Sequence, residues 1–433
     1  MNEEGKKMIF YDAARRLFTV IFLILLGTYF AANSMNQGSR LLGDFADAFR
    51  NSKNLSELRS NIAYFDGHIV DTILGRNLFV DGYAYIQVIM GKEETDNFWV
   101  IRDKRGGLNY SNFYPDDASI IEECARRVWR LKTTVEEKGT KLFFVNPPSM
   151  YVRDKNQYSP GLPYADHNFL QDAFLYQLQR FGIDYIDLRN SLAKHSEISP
   201  DNYFFLTDHH WTVETSFAAF SDIVTWMEKT YQTEFDPGFF YRDIHNYNIK
   251  YYPQSFLGSL GRGTGANYSG LDDFTVIWPK FDAETDFTLE ASFLESQIPD
   301  FKRGRYTEAL MFPEVFGIQD PYKVDLYAIY QGGIKPFEKI TNHNNPQGPK
   351  VLMIRDSYTL PVGVFMAPLF SELHMIWHTN EYVQIDIESY LKEHSFDYII
   401  VEVYQGNFYL ESFYYFPEPL VNNALENDAL EKE

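Results

Sequence analysis

Lys350-Val-Leu-Met-Ile354 is apolar after its first residue, and Arg355-Asp356-Ser357-Tyr358 follows at once. A short continuous apolar run ended by a polar turn reads as a strand buried on both faces of a sheet. The segment after Ser357 reads as a helix, so Ser357 stands at a strand-to-helix turn. In open α/β sheets, sites form at the carboxyl ends of strands. A serine there has its hydroxyl exposed and its backbone N–H directed toward a developing oxyanion.

The same logic extends in both directions. Downstream, Leu373–Trp377 and Tyr398–Val403 read as strands, with a helix over Ile387–Glu393 between them. Upstream, Ile120, Ile121, Cys124, Val128 and Leu131 recur at three- and four-residue steps, which predicts a helix over 117–138 that Gly139 ends. Lys141–Val145 then forms an apolar strand that stops at Pro147-Pro148. A helix over 168–181, a strand over Ile183–Leu188 and a helix over 212–230 follow. Such alternation means a parallel sheet covered on both faces. It lapses between about 240 and 345, where Gly, Tyr and Asp surround β-type runs at Phe274–Trp278 and Lys323–Tyr330. This interval reads as a β-rich insertion or lid carried between two sheet strands.

The second chemical motif is Thr207-Asp208-His209-His210-Trp211-Thr212, just before the 212–230 helix. A serine is a weak nucleophile until a base lies within hydrogen-bond reach and a carboxylate orients that base. Asp208 and His210, two residues apart, fit one loop in which the carboxylate fixes the imidazole tautomer. The residues also fit plainer roles. Asp208 suits the N-cap of the following helix, Ser357 suits the cap of its own, and His210 suits a buried structural histidine.

Together, the stretches FFLTDHHWT and VLMIRDSY resemble the DHHW family and its relatives, the alginate O-acetyltransferase proteins of the periplasm. Lys141–Pro148, Leu257-Gly-Ser-Leu-Gly261 and Phe396-Asp-Tyr-Ile-Ile400 add to the similarity, which spans roughly 95–410. The resemblance implies an SGNH-hydrolase-like fold: a three-layer α/β/α domain over 114–433 with a parallel sheet and the β-rich insertion. It further implies that Asp208, His210 and Ser357 form the catalytic triad. Tyr358, Ser259, Arg355, His209 and Trp211 then serve oxyanion binding or support. The chain departs from the pattern in having Arg355 where many relatives have glycine before Asp-Ser. That arginine either crowds the turn or supplies a cation near the acyl donor. His378 stands where a basic residue follows the strand near Trp377.

At the other end, Leu17–Ala32 is strongly apolar and no charge intervenes before Arg40. With its softer extension to Met35 it makes a helix of about 28 Å, enough to span a bilayer. Lys6, Lys7, Arg15 and Arg16 precede it, while Asp44 and Asp47 follow. The positive-inside rule leaves a cytoplasmic leader over 1–16, a signal anchor over 17–35 and the rest of the chain outside the cytoplasm. A signal peptide cleaved after Ser34 is the alternative. Residues 36–113 read as an irregular extension, with helical patches at 41–49 and 55–62. Within it a strand at Asn97–Arg102 enters a turn. Glu426–Glu433 is an acidic, solvated tail.

Composition limits the chemistry. The 433 residues carry a net charge of −21, which repels phosphate backbones and excludes nucleic acid as a partner. Cys124 is the only cysteine, so an internal disulfide and a multi-cysteine zinc site are excluded. Aromatic residues reach 17%, which suits either a well-filled core or a carbohydrate surface.

Three functions follow as expectations. The first is an O-acetyltransferase outside the cytoplasm that modifies a surface polysaccharide through an acyl-Ser357 intermediate, with no metal or cofactor. For it the resemblance implies a multi-pass membrane protein as acetyl donor. The second is a carbohydrate esterase using the same triad. The third is a surface polysaccharide-binding or assembly protein. Manganese phosphoesterases with Asp-His-His need further Asp and His motifs that are missing here. Palmitoyltransferases need a cysteine where this chain has Trp211.

Overall fold

The computed structural model describes residues 15–35, 50, 73–111, 118–152, 156–292, 300–377 and 385–416. The leader before Arg15, the patches at 41–49 and 55–62, His378 and the acidic tail lie outside the described residues.

The chain divides into two units, Met1–Tyr83 and Ala84–Glu433. In the first, α1 covers Arg15–Met35 and is long and apolar enough to cross a membrane. Helix α2, Arg76–Ile89, follows, and its last six residues belong to the second unit. That unit begins its strands with β1 (Glu94–Thr95), β2 (Val100–Arg102) and β3 (Leu108–Tyr110), a small antiparallel sheet. The turn expected after Arg102 is closed by Asp103, whose carboxylate accepts from the N–H groups of Arg105 and Gly107.

The alternating part then runs α3 (Ala118–Glu136), β4 (Lys141–Asn146), α4 (His167–Arg180), β5 (Asp184–Asp187) and α5 (Val213–Tyr231). The insertion supplies the hairpin β6 (Tyr247–Phe256) and β7 (Asp272–Pro279), with α6 (Ser259–Thr264) between them. It then adds β8 (Phe287–Ser292), β9 (Asp300–Gly304) and β10 (Phe337–Asn342). After it come β11 (Lys350–Arg355), α7 (Leu360–Met366), β12 (Glu372–Trp377), α8 (Ile387–Glu393) and β13 (Tyr398–Glu402).

The central sheet has eight strands in the order β5-β4-β13-β11-β12-β10-β8-β9. The first five are parallel to one another, as the alternation predicts. The last three, all from the insertion, are antiparallel. The sheet is therefore mixed, and much of the interval read as a β-rich insertion or lid extends it. A second difference falls at Lys323–Tyr330. Its apolar residues do not form a strand; Leu326–Ile329 is a short 3-10 helix, capped by the Asp325 carboxylate accepting from the Tyr327 N–H.

The central parallel strands β4, β11 and β13 are apolar over most of their length because both faces are covered. Successive side chains point to opposite faces of a strand. Phe143, Val145, Val351, Met353 and Ile400 pack with Phe217, Phe220 and Val224 of α5 and Phe365 of α7. Leu142, Phe144, Leu352, Ile354, Ile399 and Val401 instead meet Val128, Phe174 and Ile387 of α3, α4 and α8. Two cores, one on each face, hold the carboxyl ends of β4, β11 and β13 side by side.

Candidate active site

Asp208, His210 and Ser357 meet at the carboxyl end of β11. Asp208 Oδ1 accepts from His210 Nδ1 at 2.6 Å, and His210 Nε2 lies 2.7 Å from Ser357 Oγ. An ionised carboxylate only accepts, so the imidazole proton sits on Nδ1 and the Nε2 lone pair faces the serine hydroxyl. The plainer capping roles belong to other residues. Thr212 caps α5 through its hydroxyl, which accepts from the Thr215 N–H, and Asp356 caps the 3-10 turn Ser357–Thr359.

The loop is fixed from behind. Asp272, the first residue of β7, accepts from the N–H groups of Leu206 and Thr207 and from the Thr207 hydroxyl at 2.6–2.8 Å. Thr207 Oγ1 accepts in turn from the Gly258 N–H at 2.7 Å. Asp208 Oδ2 accepts from the Ser259 N–H at 2.6 Å, while Oδ1 also takes the His210 N–H at 2.9 Å. Gly258 is glycine because of this approach: a Cβ there would lie 2.2 Å from the Asp208 Cβ. Within Leu257–Gly261 the amides of Gly258, Ser259 and Gly261 are thus spent on Thr207 and Asp208. The Ser259 N–H is taken up by the Asp208 carboxylate. The Ser259 hydroxyl lies 3.1 Å from His209 Nδ1.

Charge follows this geometry. Burial alone would raise the Asp208 carboxyl. The imidazoles of His210 and His209 and the donated hydrogen bonds outweigh it and hold the group well below the ordinary carboxylate range. Burial lowers His210, but Asp208 prevails, so its pKa lies above the ordinary imidazole value. His209 is pushed down to about 3 by burial and by His210, so it stays neutral. The rings of His209 and His210 are 4.0 Å apart. Asp208, His209 and His210 offer three atoms close enough to hold a metal ion. In the arrangement seen, Asp208 Oδ1 and both His210 nitrogens are already engaged within the relay.

The remaining predicted neighbours separate clearly. Trp211 is fully buried and donates its indole N–H to the Tyr358 carbonyl at 2.8 Å, which locks the loop to the serine turn. The Tyr358 hydroxyl donates to the His209 carbonyl, and its ring stacks on Tyr404 at 4.7 Å. Both tie the loop to the serine turn, and Tyr358 also lines the cavity in front of Ser357. Arg355 departs most from expectation. It lies on the same face of β11 as Val351 and Met353, is buried, and pairs with Glu338 of β10. Lys335 lies 3.5 Å from the same carboxylate. The guanidinium does not line the cavity in front of Ser357, and it reaches the turn through a 3.4 Å hydrogen bond to the Asp356 carbonyl.

Burial pushes Glu338 up, and Arg355 and Lys335 only partly offset that. A buried pair of this kind adds little net stability, but removing one partner strands the other. Glu338→Ala is expected to destabilise the fold by about 3–5 kcal/mol. Urea unfolding checks this, and an unchanged midpoint would contradict the pairing.

Sequence reasoning missed several residues. Asp356 accepts from the N–H groups of Tyr358 and Tyr404 at 3.0 and 2.7 Å, which shapes the serine turn. Tyr327 stacks on the His210 ring at 4.5 Å. Ser357 opens into a cavity of about 590 Å³ walled by Trp99, Tyr110, His209, Tyr404, Phe408 and Tyr409. His167 and Gln405 also line it, and His167 Nδ1 and Gln405 Nε2 have no hydrogen-bond partner among the described residues. Burial pushes His167 down to about 4, so it is a neutral ring. Trp99, Tyr110, Tyr404, Phe408 and Tyr409 sit in no motif; the fold gathers them from the loop before β2, β3 and the segment after β13.

A family model, the SGNH hydrolase-like domain of acetyltransferase AlgX, matches residues 108–242. That segment contains Asp208–Trp211 and ends before Ser357. No curated protein sequence matches the chain. Among solved structures, PatB1 of Bacillus cereus is similar with a TM-score of 0.58 at 16% identity, over 73% of this chain and 99% of that one. PatB1 with a sulfonyl adduct gives 0.57 at 15% identity, over 73% and 100%. A DHHW family protein from Eubacterium siraeum gives 0.54 at 16% identity, over 74% and 95%. The fold is SGNH-hydrolase-like, and the resemblance carried by the two motifs extends to both names it pointed to.

Proposed function

We propose that this chain is an O-acetyltransferase working outside the cytoplasm, which moves acetyl groups onto hydroxyls of a surface polysaccharide through an acyl-Ser357 intermediate. The observation that carries the reading is the hydrogen-bonded line from Asp208 through His210 to a serine at the mouth of an aromatic cavity. His210 takes the hydroxyl proton as Ser357 Oγ attacks the donor's carbonyl carbon. The imidazolium is stabilised by Asp208 and gives that proton to the departing group. The Ser357 N–H, at the first position of its 3-10 turn, is the donor assigned to the oxyanion. A sugar hydroxyl, deprotonated by the same imidazole, then takes the acetyl group and frees the serine.

The similarity to the acetyltransferase AlgX domain supports acetyl as the group transferred. The aromatic walls suit an acceptor sugar, because ring faces pack on the C–H faces of pyranoses. Helix α1 serves as the anchor, with the N-terminus in the cytoplasm, and a multi-pass membrane protein supplies acetyl from across the bilayer. No cofactor or metal has a part in this scheme.

The test is incubation of the chain with an activated acetyl ester and an oligosaccharide. Acetylated sugar, with an acetyl adduct mapped to Ser357, is expected. Free acetate without acetylated sugar would reassign the site to ester hydrolysis. If neither the ester nor a fluorophosphonate modified Ser357, the reading would fall.

A further inference from the structure

The outward side of α2 is apolar, the reverse of an ordinary surface helix. In the second unit its buried residues are Ala84 and Gln87, while Tyr85 is 59% exposed, Ile86 53% and Ile89 68%. Met90, just beyond, is 66% exposed. Phe98 and Trp99, in the next turn of chain, are each 46% exposed, and Trp99 also lines the cavity in front of Ser357. Exposed apolar surface of this kind marks a site of association. We propose that Tyr85, Ile86, Ile89, Met90, Phe98 and Trp99 seat in the outer surface of the lipid bilayer. The cavity of Ser357 then opens at the membrane.

The choice of lipid rests on what precedes the patch. Within the first unit, the end of α1 is fastened to the residues leading into α2. The Tyr29 hydroxyl donates to the Leu74 carbonyl, and Asn33 Oδ1 accepts from the Leu74 N–H, both at 2.8 Å. The Tyr29 ring also meets Phe79 edge-on at 5.5 Å. A helix that begins at the end of a membrane span begins at the bilayer surface. Tyr and Trp with Ile and Met form the mixture that settles at such an interface. The net charge of −21 gives no attraction to anionic lipid, so the contact is apolar and insensitive to salt. The inference rests on α1 spanning the membrane, and it deepens the proposed function: an acetyl group brought across the bilayer would emerge where the cavity opens.

The experiment uses the full chain in phosphatidylcholine vesicles, with nitroxides on Ile86→Cys and Ile89→Cys and, as a control, on Tyr176→Cys of α4, which is 61% exposed. Cys124 is buried and its thiol pushed up to about 12, so it does not compete for the label. Labels at 86 and 89 are expected to collide several-fold more with oxygen than with a water-soluble nickel chelate, and the control to show the opposite. Nickel access at 86 and 89 equal to the control would overturn the proposal. So would shielding from both reagents, which signals a protein partner or a second copy, and so would failure of the chain to associate with vesicles. Catalysis does not enter the readout, so an inactive triad and a misassigned surface give distinguishable results.

Discussion

Ser357→Ala is expected to end acetyl transfer, with a loss of roughly 10⁶-fold in turnover, while the protein stays folded. The loss is expected to be large because Ser357 is the only hydroxyl or thiol hydrogen-bonded to His210 Nε2 among the described residues. The fold survives because the Ser357 hydroxyl is partly exposed to the cavity and its one side-chain hydrogen bond is to His210 Nε2. Water in the cavity can replace that bond, so the change in stability is expected to stay under about 1 kcal/mol. Polymer-bound acetate and a thermal melt measure the two halves of the claim. Continued acetylation in the variant would remove Ser357 from the mechanism.

Asp208→Asn should lower turnover by roughly 10⁴-fold, because an amide no longer fixes the imidazole proton on Nδ1. Here the variant also strains the loop. Asp208 accepts from His210 Nδ1 and from the N–H groups of His210 and Ser259, and an asparagine NH₂ turned toward either side faces a donor. Leaving such a buried donor unpaired costs about 1–3 kcal/mol. The pH response follows from the same pair. His210 must be neutral to act as base, so activity rises with pH through a midpoint above about 6.5, where Asp208 has lifted it. In Asp208→Asn the rise moves to lower pH; an unmoved midpoint would show that another group controls it. For stability the signs oppose. The raised imidazole contributes fully below its unfolded value and its share disappears as pH rises through the folded one. The depressed Asp208 contributes above its unfolded value and its share disappears as pH falls through the folded one. Their joint contribution is therefore greatest between about pH 4 and 6.5.

The parallel half of the sheet was legible because burial on both faces writes itself as apolar runs such as Lys141–Asn146 and Lys350–Ile354. The antiparallel strands β8, β9 and β10 were not. Phe337–Asn342 alternates buried and half-buried residues, a pattern that leaves open which sheet it joins. Lys323–Tyr330 misled for a related reason: apolar residues next to Asp325 fit a capped turn as well as a strand. At the site, the two motifs named the residues that now lie in line. The partners that hold them were illegible, because Asp272, Tyr327 and Tyr404 come from distant segments and act through position alone. The fate of Arg355 was equally hidden, since its partner Glu338 lies two strands away across the sheet. The high aromatic content fills the cores, as one of its readings held, and aromatic residues also wall the cavity.

The strand order carries a consequence for how such a protein comes into being. β13 is the last strand of the sheet in chain order, yet it lies between β4 and β11. Until Tyr398–Glu402 arrives, β5 and β4 form one sheet fragment and the six-residue β11 heads another, with no edge shared between them. The Tyr404 N–H that braces Asp356 arrives with it. A chain emerging amino-end first therefore carries Asp208, His210 and Ser357 before the strand that joins the two fragments beneath the serine turn. Under the proposed function, a chain delivered only as far as β12 lacks the brace on its serine turn.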